Sequence, residues 1–178
     1  MKNKGSTLLI LIIVIGFVTL IGTVVYSMCL FNYKNQENIN EYQKKFYIVD
    51  SALDISYVTT EDVVNKALKH SFNSIETLED ELTDKGYLFK NSYENYISKN
   101  LENKIKSNIS NYSSLIDENL KIDINIYKNY SGDIIIDIDS FLENSTFTKI
   151  SEKLIVKIPR YPPESYKLVL RKNWHITN

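Results

Sequence analysis

From Gly5 to Tyr33 the sequence runs for 29 residues without a Lys, Arg, Asp or Glu, and most of these positions are Leu, Ile, Val or Phe. As an α-helix, Ser6–Phe31 would be about 39 Å long, enough to cross a hydrocarbon core about 30 Å thick. The insertion energies of the aliphatic residues and Phe favour the bilayer even with the Gly and Thr positions included. A cleaved secretory signal would have a shorter apolar core ending in a small-x-small site, whereas this run leads into Tyr26-Ser27-Met28-Cys29-Leu30-Phe31. The segment is read as one membrane-spanning helix. Lys2 and Lys4 precede it, and Lys34, Lys44 and Lys45 follow it, interleaved with Glu37, Glu41 and Asp50. Lysine counting alone gives a slight preference for the reverse orientation, but a short leader before a large polar domain favours a cytoplasmic amino terminus and an extracellular carboxy-terminal domain. The expected location is therefore the cell membrane, crossed once.

The pattern beyond the membrane extends the same helix. Ile39, Tyr42, Phe46, Val49 and Leu53 recur in steps of three and four among charged residues, and neither Gly nor Pro occurs from Thr23 to Lys85. One helix from Ser6 to about Tyr57 would be about 78 Å long. Fewer than three heptads are present, so the seam is expected to bury against the chain's own sheet rather than in a coiled coil.

Lys4-Gly5-Ser6-Thr7-Leu8-Leu9 is a lysine-bearing leader ending in Gly, then a small residue, Thr, Leu and an unbroken apolar helix with an amphipathic extension. This resembles the class III signal of type IV pilins and pseudopilins, over about the first 57 residues, and the rest matches in architecture only. The resemblance implies a leader peptide at 1–5, cut after Gly5 by a prepilin peptidase that methylates Ser6. It further implies a transmembrane helix at 6–31 with an amphipathic continuation at 32–57. Leu8, Leu9, Ile10, Leu11, Ile13, Val14, Phe17 and Leu20 would pack in a filament's helix bundle. Implied partners are other pilin or pseudopilin subunits, the peptidase, an inner-membrane assembly platform and membrane lipid, and no cofactor is implied. Two positions depart from the family pattern: Ser6 stands where Phe is usual, and Ile10 where the fifth mature residue is usually Glu. Minor subunits similar to the PilX-type pilins and the K-type pseudopilin of type II secretion also lack that acid. The resemblance thus implies a minor subunit acting in filament initiation or at the tip.

Residues 58–116 read as helical and 117–178 as an antiparallel sheet, so the expected fold class is α+β, a long N-terminal helix packed on a C-terminal sheet with a helical insertion between. Thr59-Thr60-Glu61-Asp62 offers an N-cap with acids in the first turn, and Val64, Ala67, Leu68 and Phe72 supply an apolar stripe. A short helix is expected from Thr77 toward Gly86, and Ser92 as the cap of a longer one carrying Ile97, Leu101, Ile105, Ile109 and Tyr112. From Leu120 the period becomes two: Leu120, Ile122, Ile124 and Ile126 alternate with polar residues, as do Ile134, Ile136 and Ile138 with Asp137 and Asp139. If even-numbered residues face inward on both strands the hairpin loop must be odd, and Ser131 to Asp133 places Ile126 opposite Ile138. Two more strands are expected near Lys153–Ile158 and Tyr166–Lys172.

Chemistry is sparsely signalled. A single cysteine, Cys29, excludes an internal disulfide, and the two histidines, His70 and His175, stand in no ligand spacing. Asp117, Glu118, Asp133, Asp137 and Asp139 lack the spacing of a calcium loop and read as a solvated face. Only Gly86 and Gly132 lie in the polar part, too few for a phosphate-cradling loop. The 21 Lys plus Arg against 22 Asp plus Glu, a net charge of −1, disfavour a basic nucleic-acid module. The 13 tyrosines and Trp174 read either as an adhesive surface or as core rim. No catalytic residue and no metal ligand is assigned, and the chain is read as a non-enzyme. The expected function is a minor structural subunit of a type IV pilus or pseudopilus, and the alternative is an uncleaved, signal-anchored extracellular binding or signalling protein.

Overall fold

The computed structural model describes residues 4–76, 84–143, 149–162 and 167–177. The chain forms two compact units, Met1–Lys44 and Lys45–Asn178. Helix α1 (Lys4–Glu76) runs without a break across the boundary between them. The expected N-cap at Thr59–Thr60 does not form. Thr60 Oγ1 donates instead to the Ser56 carbonyl at 2.8 Å, as Ser56 Oγ does to the Ala52 carbonyl at 2.8 Å. A threonine hydroxyl can satisfy a preceding carbonyl as readily as it caps, and with no Gly or Pro nearby the helix continues. Glu61 and Asp62 serve as i,i+4 partners, Glu61 accepting from the Tyr57 hydroxyl and Asp62 from Lys66 Nζ at 2.5 Å.

In the second unit α1 buries Val49, Ala52, Leu53, Val63, Val64 and Ala67, with Ser56, Thr59, Thr60 and Ser71 on the same face. Helix α2 (Lys85–Ile116) starts at Asp84, whose carboxylate accepts the Tyr87 N–H at 3.1 Å. Ser92 is therefore not a cap but an interior residue, and the helix expected from Thr77 falls largely outside the described residues. Gly86 suits this start, because a Cβ there would come within 3.3 Å of Asp84 Oδ1. Phe89, Tyr93, Ile97, Leu101, Ile105 and Ile109 are all buried. Every-fourth spacing drifts about 40° per step around a helix, so the covered face turns along α2. Its start meets Phe72 of α1 through Phe89, with ring centroids 5.2 Å apart, and farther on Asn108 Nδ2 donates to Thr59 Oγ1 at 2.8 Å. The two helices are thus antiparallel.

Strands β1 (Leu120–Lys128), β2 (Ile134–Leu142), β3 (Lys149–Val156) and β4 (Val169–Thr177) form one antiparallel sheet in sequential order. Even-numbered residues of β1 to β3 face the helices, as the alternation requires. The hairpin register differs from expectation by two residues, Ile126 pairing with Ile136 and Lys128 with Ile134. The loop is consequently Asn129–Asp133. Asn129 closes it, its Oδ1 accepting the Asp133 N–H at 2.9 Å and its carbonyl the Gly132 N–H at 3.0 Å, with Gly132 at φ +86°. The last two strands also begin and end differently from expectation. β4 continues to Thr177 through a bulge at Asn173, φ 53°, where the register between Ser151 and Lys153 shifts. α2 lies by β1, with Lys128 Nζ 2.6 Å from Glu94 Oε2, and α1 lies by β4, with Arg171 Nη1 2.5 Å from Asp54 Oδ1.

Candidate functional site

Within the first unit every described side chain from Ser6 to Lys44 is exposed. Gly5 lies in the first turn of α1 and Ser6 follows it, and that turn contains no acid. Leu8, Leu9, Ile10, Leu11, Ile13, Val14, Phe17 and Leu20 are each about half to two-thirds exposed and lie all round the helix rather than on one face. An 18-residue window here has a mean hydropathy of 3.1, long and apolar enough for one membrane crossing. Three hydroxyls of the segment bond back to its own carbonyls. Thr19 Oγ1 donates to the Ile15 and Gly16 carbonyls at 3.0 and 2.9 Å, and Thr23 and Ser27 to the Leu20 and Thr23 carbonyls, both at 2.8 Å. Such a surface offers its surroundings almost nothing but hydrocarbon, which suits lipid or other apolar helices. A Cβ at Gly16 or Gly22 would touch nothing within 4 Å, so both mark flat patches that another helix could approach closely. Cys29 is exposed on the same helix.

The second unit holds two polar groupings that the sequence reading missed. Glu152, 2% exposed, sits on the inner face of β3, where Arg171 Nε and Nη2 reach its Oε2 at 2.7 and 2.6 Å. Arg171 also bridges to Asp54, and its guanidinium lies 5.9 Å from the Tyr57 ring centroid. Burial pushes the Glu152 carboxyl up to about 7, against the pull of Arg171, while Asp54 and Asp50 add to the upward push. Burial works against the charge on Arg171, but Asp54 and Glu152 outweigh it and hold the group charged. An acid at an inward position between Ile150 and Leu154 is visible in the alternation of β3; its partners are not.

In the second grouping His70 Nδ1 lies 3.0 Å from Ser92 Oγ, Ser74 Oγ lies 3.1 Å from the same atom, and the His70 ring packs on Tyr96 at 5.2 Å. An imidazole beside a hydroxyl is the core of a nucleophilic pair, but both residues lie inside helices whose backbone N–H groups are already bonded. Those N–H groups are therefore not free to stabilise an oxyanion. The contact is read as a polar fastening between α1 and α2.

The strand acids are engaged in pairs. Asp137 meets Lys153 at 3.2 Å and the Tyr127 hydroxyl at 3.0 Å, and Asp139 meets Lys149 at 2.8 Å. Partial burial works against the Asp139 charge, yet Lys149 and Ser151 hold its carboxyl below the usual range. Among the described residues no three His, Cys, Asp or Glu side chains converge as a metal site would need. His175 is exposed, its Nδ1 2.7 Å from the Asn173 carbonyl. Tyr130, at the hairpin tip, and Tyr87 are fully or largely exposed, whereas Tyr93 is buried, so the tyrosines divide between surface and core. No protein family, curated protein or solved structure matches this chain.

Proposed function

We propose that this chain is a minor structural subunit of a type IV pilus or related pseudopilus, processed after Gly5 and acting in filament initiation or at the tip. The observation that carries the proposal is α1 itself: an uncovered, charge-free stretch continues as the same helix into turns that pack beneath an antiparallel sheet. In this reading residues 6–31 rest in the membrane before assembly, with the amino terminus cytoplasmic and the second unit outside. They then exchange lipid for the apolar helices of neighbouring subunits. Both environments reward the same surface, because the segment carries no charge and the Thr19, Thr23 and Ser27 hydroxyls bond within their own helix. Ile10 supports a place at the end of a filament. A buried Glu beside a neighbour's amine is costly unless both charges are present, and a subunit with Ile at this position needs no such partner. The partners are other pilin-type subunits, a prepilin peptidase, the assembly platform and membrane lipid. The chemistry is assembly rather than catalysis.

The test is the intact mass and amino-terminal sequence of the chain extracted from membranes of a host with an active prepilin peptidase. A chain beginning at methylated Ser6, with Gly5→Leu left uncut and unassembled, is the expected result. A chain still beginning at Met1 would refute processing and favour an uncleaved signal anchor carrying an extracellular binding module.

A further inference from the structure

Glu152 is the one charged side chain among the buried residues described. It lies between Ile150 and Leu154 on β3 and opposite Ile138 of β2. Its Oε2 carries both contacts from Arg171, while Oε1 has no partner among the described residues. The other buried side-chain oxygen without a partner there is Ser140 Oγ. Ser140 pairs with Ile150 across the β2–β3 ladder, so Ser140 and Glu152 are diagonal neighbours on the inner face of the sheet. An unpaired buried acceptor is costly while it carries charge, and a proton on Oε1 removes that charge.

What Arg171 holds is the seam between β4 and α1. Phe46, Asp50, Asp54 and Tyr57 step by four, four and three along one face of α1. Trp174 of β4 stands edge-on to Phe46 at 6.2 Å and donates from Nε1 to Asp50 Oδ1 at 2.9 Å, while Arg171 covers Asp54 and Tyr57. Glu152 anchors this seam from the strand beneath.

We propose that Glu152 is a proton-operated clasp that sets how firmly β4 is held to α1. When Glu152 is ionised, Arg171 is drawn inward and ties β3, β4 and α1 together. When a proton binds Oε1, the carboxylate becomes a carboxylic acid, Arg171 loses its buried counter-charge, and the guanidinium is left to the more exposed Asp54 at the surface. Charged groups facing Glu152 are Asp50 and Asp54 from α1 and Arg171 from β4. β2 contributes Ile138 and Ser140, and the buried residues of α2 carry no charge. Burial places the Glu152 carboxyl at about 7, so the two forms exchange near neutral pH. The clasp stands independently of the filament reading.

Trp174 is the single tryptophan and lies on the seam, so its emission reports the clasp. In the full chain in detergent micelles, titrated from about pH 5 to about pH 9, a one-proton change with a midpoint near 7 is expected, given an ordinary glutamate value of about 4.3. Glu152→Gln should abolish the change and hold the acid-form spectrum. His175→Gln should retain it, which separates Glu152 from the imidazole next to Trp174. A transition that survives in Glu152→Gln, or disappears in His175→Gln, overturns the proposal. Carbon-13 titration of the glutamate carboxyls in the unsubstituted chain is a second readout: one carboxyl should titrate near neutrality, and a set that all titrates in the ordinary range overturns it as well.

Discussion

Replacing Arg171 by Ala should destabilise the second unit by an amount that grows with pH. The guanidinium makes three kinds of contact: the buried carboxylate of Glu152, the 60% exposed carboxylate of Asp54, and the Tyr57 ring. The last two together are worth about 0.5 to 2 kcal/mol, since exposed ion pairs contribute about 0–1 kcal/mol and a surface cation–π contact about 0.5–1 kcal/mol. That part is nearly independent of pH. Glu152 supplies the rest. Its carboxyl is raised from 4.5 to about 7 in the folded chain, so between these values the folded state binds more protons than the unfolded one. Stability therefore falls as pH rises through this window, by about 3 kcal/mol at about 1.4 kcal/mol per unit, and levels off above it. Without Arg171 the carboxyl rises further, the levelling disappears, and the decline continues at about 1.4 kcal/mol per unit above neutrality. The predicted loss is about 0.5 to 2 kcal/mol near pH 5 and about 2.5 to 4 kcal/mol near pH 8.5. Urea unfolding of the full chain in micelles, followed by Trp174 emission at several pH values, measures it. Parallel stability curves for the two proteins would refute the reasoning, because Glu152 could not then be carrying a buried charge.

Leu101→Ala empties the middle of the α2 stripe, where the side chain is fully buried, and should cost about 2–5 kcal/mol in the same unfolding assay. Gly132→Ala has open space for its Cβ but sits at φ +86°, so a loss of about 1–2 kcal/mol should arise from the backbone alone, with the Asn129–Asp133 hydrogen bonds retained in amide exchange.

The long helix and the meander are legible because their signals are binary: an uncharged run cannot be a surface segment, and alternation by two fixes which side of a strand faces the core. Errors cluster where two local solutions satisfy the same groups. Thr59 and Thr60 can cap a helix or bond back along it, and the choice rests on burial against α2, where Asn108 meets Thr59. A hairpin slip of two residues preserves every inward position, so alternation cannot detect it, and Asn129 decides the matter by closing the loop. Glu152 is missed because the third strand is expected to begin only near Lys153, whereas β3 begins at Lys149, and Arg171 is not visible as its partner. Arg171 stands opposite Leu154 and reaches Glu152 diagonally, a pairing set by the β3–β4 register, and Asp54 belongs to a helix far back in the sequence. The proximity of His70 and Ser92 left no trace in spacing at all.

The seam between α1 and β4 bears on the order in which the chain can mature. Each strand of the sheet pairs with its immediate predecessor, so β1 to β3 can zip as the polypeptide is made. The bonds from Asp50 and Asp54 to Trp174 and Arg171, by contrast, join residues 124 and 117 positions apart. They must wait for the final strand, and until it arrives Glu152 has no cation. Synthesis that stops before β4 would leave a sheet edge open and an acid without its counter-charge, a half-built domain that a quality-control protease could distinguish from the finished one.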